Sequence, residues 1–265
     1  MRTSKCVAAI ETSLGQIGFG EEGSGGIPLV FLHGVGSDKS VWAPQLAHFG
    51  KKRRSIAFDY PGYGDSDPAP EGTSREDFAA AILAAMSALD IGRAHICGLS
   101  LGGVVAIAIH SAAPQRCVSL ILADSFASHP EGQAIYERSL AASTDLRALA
   151  QARVDVLLAA GAGKDIRAEV VETMARIDPA AYRIGAEAVW LADQRGRARA
   201  IDVPTLVLVG EEDRVTPPAL SSELAELVPK ARLETIAGAG HLSNLERAPS
   251  FNRQVDDFIA QVERG

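Results

Sequence analysis

The sequence predicts an α/β fold with a mostly parallel central sheet and helices on both of its faces. Short β-rich runs alternate with segments of helical periodicity along most of the chain. The runs are apolar almost throughout, which is typical of strands that are covered on both faces. At 265 residues the chain is long enough to bury one large core. We therefore expect functional groups on the loops at the carboxyl ends of the strands.

The predicted elements follow one another along the chain. Apolar stripes with helical spacing mark one helix through Phe78 and Met86 and another through Phe251 and Phe258. Five early glycines are interpreted as a hairpin turn rather than a phosphate loop, because no Lys-Ser/Thr pair follows them and the next element is a strand. The glycines are Gly18, Gly20, Gly23, Gly25 and Gly26, and the predicted strands are residues 28–33, 55–59, 95–97, 118–123, 204–209 and 233–236.

Residues 126–200 interrupt this alternation. The segment is rich in alanine, helical in pattern and without a convincing strand. A segment of this length with internal glycine and proline breaks would bury only a thin core by itself. We therefore predict an α/β core of residues 1–125 and 201–265, with residues 126–200 as a helical cap, or lid, over the strand ends.

Charge and composition argue against several classes of protein. A formal net charge of -7 disfavours a nucleic-acid-binding surface, which needs clustered Lys and Arg. No apolar segment of the sequence approaches the roughly 18 residues needed to span a bilayer. Cys6, Cys97 and Cys117 show no C-x-x-C spacing, which favours reduced thiols. We expect a cytoplasmic protein with a small-molecule substrate and no membrane or nucleic-acid partner; monomer and homo-oligomer both stay open.

A glycine-rich turn around Ser100 carries the strongest functional signal. Gly98-Leu99-Ser100-Leu101-Gly102, followed by Gly103, comes directly after a predicted strand and directly before a helical run over residues 104–109. In a sharp strand-to-helix turn, side chains two residues to either side of the serine would collide, and glycine removes them. The following helix points its free N–H groups at the site. This context predicts Ser100 as a nucleophile.

A serine hydroxyl needs a base, and His241 is the candidate among the six histidines. It follows the last predicted strand, in Gly238-Ala239-Gly240-His241. Asp213 follows the preceding strand, which produces the chain order Ser, Asp, His expected after a G-x-S-x-G turn. Its carboxylate would accept from one ring nitrogen so that the other can take the serine proton. Asp124, which also ends a strand, is the alternative acid.

Two backbone amides are predicted to stabilise an oxyanion near Ser100. Leu101 N–H follows the nucleophile, and Val35 N–H lies on the loop after the first central strand, where the chain can turn back over the site. His33 precedes that loop and is predicted to organise it by hydrogen bonding. Metal-binding patterns such as H-E-x-x-H are missing from the sequence, so no metal and no organic cofactor are expected.

Five ordered motifs together resemble the α/β-hydrolase family across nearly the whole chain. They are LHG at residues 32–34, DYPGYGDS at 59–66, GLSLGG at 98–103, GEED at 210–213 and GH at 240–241. Within the family, residues 95–100 and 241–246 are similar to the 3-oxoadipate enol-lactonases of aromatic catabolism. The resemblance implies an α/β-hydrolase fold and a serine hydrolase that cleaves a carboxylic ester or lactone, with an enol-lactone as the best single expectation.

Two other functions stay open on the sequence. A carbon–carbon bond hydrolase acting on a ring-cleavage product would use a similar triad and lid. A non-enzymatic ligand sensor could be built on the same fold, although an intact triad argues against it. The spectral change of a dienone substrate would separate the first alternative from an ester or lactone hydrolase, and absence of steady turnover on any activated ester would argue for the second.

An enol-lactone carries a free carboxylate, so a lid that recognises it needs a cation and apolar walls. Arg138, early in the lid, is predicted to bind this carboxylate. Tyr136 and Trp190 are predicted to supply the walls. The alternative for Arg138 is a solvated helix residue paired with Glu137 or Glu131.

Overall fold

The computed structural model describes residues 8–264, so the expectation for Cys6 lies outside the described residues. Eight strands form one sheet, and eleven α-helices surround it within this range. The strands are β1 (Ala8–Thr12), β2 (Gly15–Glu22), β3 (Leu29–Leu32), β4 (Ser55–Phe58), β5 (Ala94–Leu99), β6 (Cys117–Ala123), β7 (Thr205–Gly210) and β8 (Ala231–Ile236). The helices are α1 (Ala43–Phe49), α2 (Arg75–Ala88), α3 (Leu101–Ala112), α4 (Gly132–Ala142), α5 (Leu146–Leu157), α6 (Lys164–Ala175), α7 (Pro179–Trp190), α8 (Arg195–Arg199), α9 (Pro218–Leu227), α10 (Ser243–Glu246) and α11 (Ala248–Val262).

The sheet is mostly parallel, as predicted. Its strand order is β1-β2-β4-β3-β5-β6-β7-β8; β2 is antiparallel to both β1 and β4, and all later neighbours are parallel. Successive residues of a strand point to opposite faces. Val30 and Leu32 of β3 therefore enter the core beneath α2 and α3, whereas Leu29 and Phe31 enter the core beneath α1 and α11. Because β3 to β8 run parallel to one another, their carboxyl ends lie at one edge of the sheet, where the candidate functional loops are found.

The six predicted strands correspond to β3 through β8, but the hairpin interpretation of the early glycines is wrong. Gly18 and Gly20 lie inside β2, and the tight connection to β1 falls at residues 13 and 14. Gly18 is needed for packing, since a Cβ there would lie 2.7 Å from Asp59 Oδ2. The polar, glycine-rich sequence of β2 lacks the β-branched alternation that reveals a strand.

Between β6 and β7 the described chain forms the five helices α4 to α8 and no strand. An isolated bridge joins Ser128 to Asp193 near the two ends of this segment. Phe126 also stacks on Trp190, with ring centroids 5.9 Å apart and planes 10° apart. The segment thus leaves the sheet and returns to it at nearly the same place.

Candidate active site

Ser100 occupies a strained turn between β5 and α3. Its φ of 55° and ψ of −114° are rarely adopted by residues other than glycine. Only glycines fit around it, because a Cβ on Gly98 would lie 2.1 Å from Gly102 O and one on Gly102 would lie 2.1 Å from Leu32 O. The turn presents the serine side chain to a cavity at the strand ends.

The loop after β3 passes directly beside this serine. A Cβ on Gly34 would lie 3.5 Å from Ser100 Cβ. Nδ1–H of the buried His33 ring donates to Gly34 O at 2.8 Å, and burial lowers the pKa of His33, which keeps the ring neutral. Because the peptide is planar and trans, fixing the Gly34 carbonyl turns the Val35 N–H to the opposite side. His33 therefore orients this loop.

Two unused N–H groups belong to residues on either side of the serine. Leu101 is the first residue of α3, so its amide has no acceptor within the helix. Val35 lines the same cavity as Ser100. Neither amide donates a hydrogen bond to another group within residues 8–264. Both are available to an oxygen atom bound beside Ser100.

His241 and Asp213 form a buried hydrogen-bonded pair, with Nδ1 of the ring 2.9 Å from Oδ2 of the carboxylate. A carboxylate only accepts, so Nδ1 carries the proton and Nε2 remains able to accept one. Thr216 orients the carboxylate by donating its hydroxyl to Oδ2 at 2.8 Å and its N–H to Oδ1 at 3.0 Å.

Burial disfavours the charged forms of both members of this pair. Burial is the largest single influence, but the attraction between the two charges and the hydrogen bonds together outweigh it, so the pKa of His241 is raised above 6.5 and the pKa of Asp213 is lowered below 3.8. A hydrogen bond from His241 and two from Thr216 add to the lowering at Asp213. At neutral pH the carboxylate is therefore ionised beside the ring.

Asp124 lies buried at the end of β6, and among residues 8–264 it has no hydrogen bond to His241. Its Oδ1 accepts from Gly210 N–H at 2.8 Å, and its Oδ2 lies 2.5 Å from Ser243 Oγ. Burial, together with the charge of Asp213, raises the pKa of Asp124 to about 8. The structure thus brings Asp213, rather than Asp124, to the ring.

The loop that carries His241 is attached to the segment that follows α5. His241 N–H donates to Leu157 O at 2.8 Å. The carboxylate of Glu246 accepts from Gly240 N–H at 2.9 Å and from Ala159 N–H at 2.7 Å. A Cβ on Gly240 would lie 2.6 Å from Ala159 N, so glycine permits this close approach. The position of the ring therefore depends on the helical segment as well as on the sheet.

Ser100 and His241 line one cavity of about 50 Å³, most of whose wall is apolar. Within residues 8–264 no hydrogen bond joins Ser100 Oγ to the ring; such contacts are often long until a ligand binds. Tyr182 and Trp190 also line the cavity, and their buried O–H and indole N–H have no partner in the described range. A ligand that carries oxygen acceptors would satisfy these donors.

The three residues predicted to bind substrate lie in different places. Trp190, at the end of α7, lines the cavity. Tyr136 lines neither the cavity nor the larger groove beside it, which is bounded by α4, α5 and the start of α9, and this corrects the expectation. Its hydroxyl instead donates to Glu187 Oε2 at 3.3 Å and links α4 to α7. Arg138 is exposed on α4 and lines the groove rather than the cavity, and no ion pair with an acidic residue forms there within the described chain.

Two residues near the site were missed by sequence reasoning. Thr216 had a signal, because an aspartate often accepts from N–H groups two and three residues ahead, as Asp213 does from Val215 and Thr216. Arg153, on α5, lines both the cavity and the groove. It had no signal, since nothing local distinguishes it from the other arginines of the helical segment.

The described residues limit other kinds of site. Across residues 8–264 no group of three or more His, Cys, Asp or Glu side chains is placed to hold a metal ion. No helix in that same range has the length and apolarity to cross a membrane. Cys97 and Cys117 are both buried and free.

Several known proteins are similar in sequence to this chain over most of its length. It is 32% identical over 236 residues to 3-oxoadipate enol-lactonase 2 of Acinetobacter baylyi, which covers 86% of each chain. It is 31% identical over 273 residues to 2-hydroxymuconate semialdehyde hydrolase of Pseudomonas sp., which covers 97% of this chain and 93% of that one. It is also 31% identical over 245 residues to the dihydrolipoyllysine-residue acetyltransferase component of an acetoin cleaving system of Pseudomonas putida, where 89% of this chain spans only 64% of the relative.

The fold is shared with solved structures. The crystal structure of the enol-lactonase from Burkholderia xenovorans matches 96% of this chain and 100% of its own, with a TM-score of 0.87 and 28% sequence identity. The model of the alpha/beta hydrolase family matches residues 29–254. This chain is therefore a member of the alpha/beta hydrolase family of enzymes.

Proposed function

We propose that the protein is a serine hydrolase that cleaves a carboxylic ester or a lactone through an acyl-enzyme. The observation that carries the proposal is the 2.9 Å hydrogen bond between His241 and Asp213, in a cavity shared with a serine on a strained strand-to-helix turn. A serine hydroxyl is a poor nucleophile at neutral pH, and this pair supplies the base that it needs.

In the proposed first step, Ser100 Oγ attacks the carbonyl carbon and its proton passes to His241 Nε2. Asp213 stabilises the imidazolium that forms. The carbonyl oxygen becomes an oxyanion that accepts from the N–H groups of Val35 and Leu101. Collapse of this intermediate breaks the bond to the leaving oxygen, which takes the proton from His241. Water then attacks the acyl-enzyme by the same route and releases the acid.

Residues 126–200 are proposed to act as a lid on a core formed by residues 1–125 and 201–265. Leu157, Met174 and Trp190 of the helical segment line the same cavity as Ser100, which supports this role. Similarity to two enol-lactonases, one by sequence and one by structure, favours an enol-lactone substrate over a simple ester. The buried free thiols suit a reducing compartment such as the cytoplasm.

The proposal is tested with a panel of lactones and activated esters. We expect steady turnover by the wild type, and we expect Ser100→Ala to lower kcat by roughly 10⁵- to 10⁶-fold while the circular dichroism spectrum is unchanged. A fluorophosphonate probe should label the wild type at Ser100 and leave the variant unlabelled. Wild-type-like turnover in Ser100→Ala would contradict the mechanism, and no turnover of any ester or lactone would favour a ligand sensor.

A second candidate is hydrolysis of a carbon–carbon bond in a ring-cleavage product. The 31% identity to a 2-hydroxymuconate semialdehyde hydrolase over 97% of this chain favours it. Loss of the visible absorbance of a dienone substrate would detect this activity. Comparison of its kcat/KM with that for an enol-lactone decides between the two substrates.

A further inference from the structure

A groove of about 750 Å³ lies beside the cavity that contains Ser100 and His241. The two spaces share a wall formed by Arg153, Trp190 and Val215. The groove is bounded by α4 and α5 on one side and by the start of α9 on the other. A ligand bound in either space therefore lies against these same three side chains.

The charges on the groove are mostly positive, although the whole chain carries a net charge of -7. Arg138, Arg153 and Arg214 line it, with Glu131 as the one acidic residue among its described lining. Arg214 is held by the backbone, since it donates to Leu158 O at 3.0 Å. Within residues 8–264 Arg138 and Arg153 form no hydrogen bond and no ion pair. Their guanidinium groups are free to bind an anion.

Arg153 differs from Arg138 because it is half-buried and also lines the cavity. It is the one lysine or arginine among the described residues of that cavity, where the acidic residue is the exposed Glu169. A guanidinium in a largely apolar wall gains from a carboxylate partner, which it can bind through two parallel hydrogen bonds. The unpartnered indole N–H of Trp190 lies on the same shared wall and needs an acceptor too.

We propose that Arg153 binds a free carboxylate of the substrate while the scissile carbonyl lies at Ser100, so that the enzyme selects carboxylate-bearing lactones or esters. This inference rests on the proposed hydrolase function. It transfers the role expected of Arg138 to a residue on the next helix. Arg138, exposed at the outer part of the groove, then contributes to attraction of the anion before it reaches Arg153.

The charge of Arg153 also affects the pKa of the His241 ring. Burial lowers and Asp213 raises the pKa of His241, and the positive charge of Arg153 acts in the lowering direction. Removing this charge should move the acid limb of the pH–rate profile to higher pH. A carboxylate bound at Arg153 should have the same direction of effect, since it neutralises the same charge.

The test compares two substrates of nearly equal size, a lactone with a free carboxylate and the neutral primary amide of that carboxylate. We expect Arg153→Gln to lower the ratio of kcat/KM for the anionic substrate to that for the neutral one by roughly 10- to 100-fold, mostly through KM, as loss of a charge-assisted contact predicts. Arg153→Lys keeps the charge without the two-pronged geometry, so its effect should be smaller. The pH profile with the neutral substrate should shift upward in Arg153→Gln and not in Arg153→Lys.

Arg147→Gln is the matched control. Arg147 lies on the same helix, pairs with Glu172 at 2.5 Å and lines neither space, so its loss removes the same net charge without changing the substrate ratio. Equal losses on both substrates in Arg153→Gln, or an unchanged ratio in both Arg153 variants, would overturn the carboxylate role and leave the hydrolase proposal standing. Absence of turnover of either substrate by the wild type would overturn the hydrolase proposal first.

Discussion

Two aspartates follow neighbouring strands of the sheet, and their surroundings separate their chemistry. Asp213, after β7, accepts from Val215 N–H at 2.8 Å, from both donors of Thr216 and from His241. Asp124, after β6, contacts only Gly210 N–H and Ser243 Oγ among the described residues. The pKa of Asp213 is lowered, whereas that of Asp124 is raised to about 8. Two buried carboxyls therefore differ in charge at neutral pH, because the His241 ring and four hydrogen bonds favour the ionised form of Asp213, whereas burial and the charge of Asp213 disfavour ionisation of Asp124.

The comparison shows what a second carboxyl near the proposed catalytic pair can do. Gly210 ends the strand that leads to Asp213, and Ser243 lies two residues after His241. By contacting both, Asp124 links the two loops that carry the pair. Because Asp213 is already ionised nearby, a second charge would be unfavourable, and the proton held by Asp124 avoids it.

The largest effect that separates the two aspartates is expected in Asp213→Asn. We expect kcat to fall by about 10⁴-fold, because an amide in place of the carboxylate permits the wrong ring tautomer. The measurement is kcat on the best lactone or ester, with folding checked by circular dichroism. A larger loss in Asp124→Asn than in Asp213→Asn would assign the acid role to Asp124.

The pH dependence of kcat/KM should report the ionisation of His241 beside Asp213. The active form of His241 is neutral. Its pKa is raised above 6.5, because the charge and hydrogen bond of Asp213, with a smaller contribution from Asp124, together outweigh the effect of burial. The value of kcat/KM should therefore rise with pH. On the acid side it should rise tenfold per pH unit, with a midpoint above pH 6.5. In Asp213→Asn the residual activity should show a lower midpoint, since the raising charge is gone. A flat wild-type profile from about pH 5 to 9 with a neutral substrate would argue against a histidine base.

The smallest effect on rate is expected in Asp124→Asn. Asparagine can accept from Gly210 N–H and donate to Ser243, so kcat should fall by less than about tenfold, far less than in Asp213→Asn. Stability should change more clearly than rate. The folded pKa of about 8 exceeds the ordinary value of 3.8, so the contribution of Asp124 to stability is fully present below pH 3.8 and is lost as pH rises through about 8.

Urea unfolding at pH 6 and pH 9 measures this contribution. The wild type should lose more stability between these two values than Asp124→Asn does, because asparagine does not ionise. Asp257→Asn, on the exposed side of α11, is the matched control and should behave as the wild type. An equal loss in all three proteins would show that Asp124 is ionised throughout the range.

Local sequence pattern was sufficient for several parts of this protein. The alternation of apolar runs and helical stripes predicted β3 to β8. Burial on both faces imposes that pattern on β3 to β7, whereas β8, at the sheet edge, is only partly buried. The glycines around Ser100 are a local requirement of the strained turn, so the candidate nucleophile could be predicted from five residues. Chain order after that turn indicated Asp213 and His241. β2 was not predicted, because its glycines leave no alternation of apolar residues. One of them, Gly18, packs against Asp59.

Tertiary structure decided the rest. Asp124 and Asp213 follow equivalent strand ends, and only the three-dimensional path of the loops brings one of them within 2.9 Å of His241. The orientation of Arg153 and Arg138 depends on how α4 and α5 pack over the sheet, which helical periodicity in each helix alone does not specify. Periodicity reports which face of an element is buried, whereas contacts between residues far apart in the chain depend on how the elements are placed together.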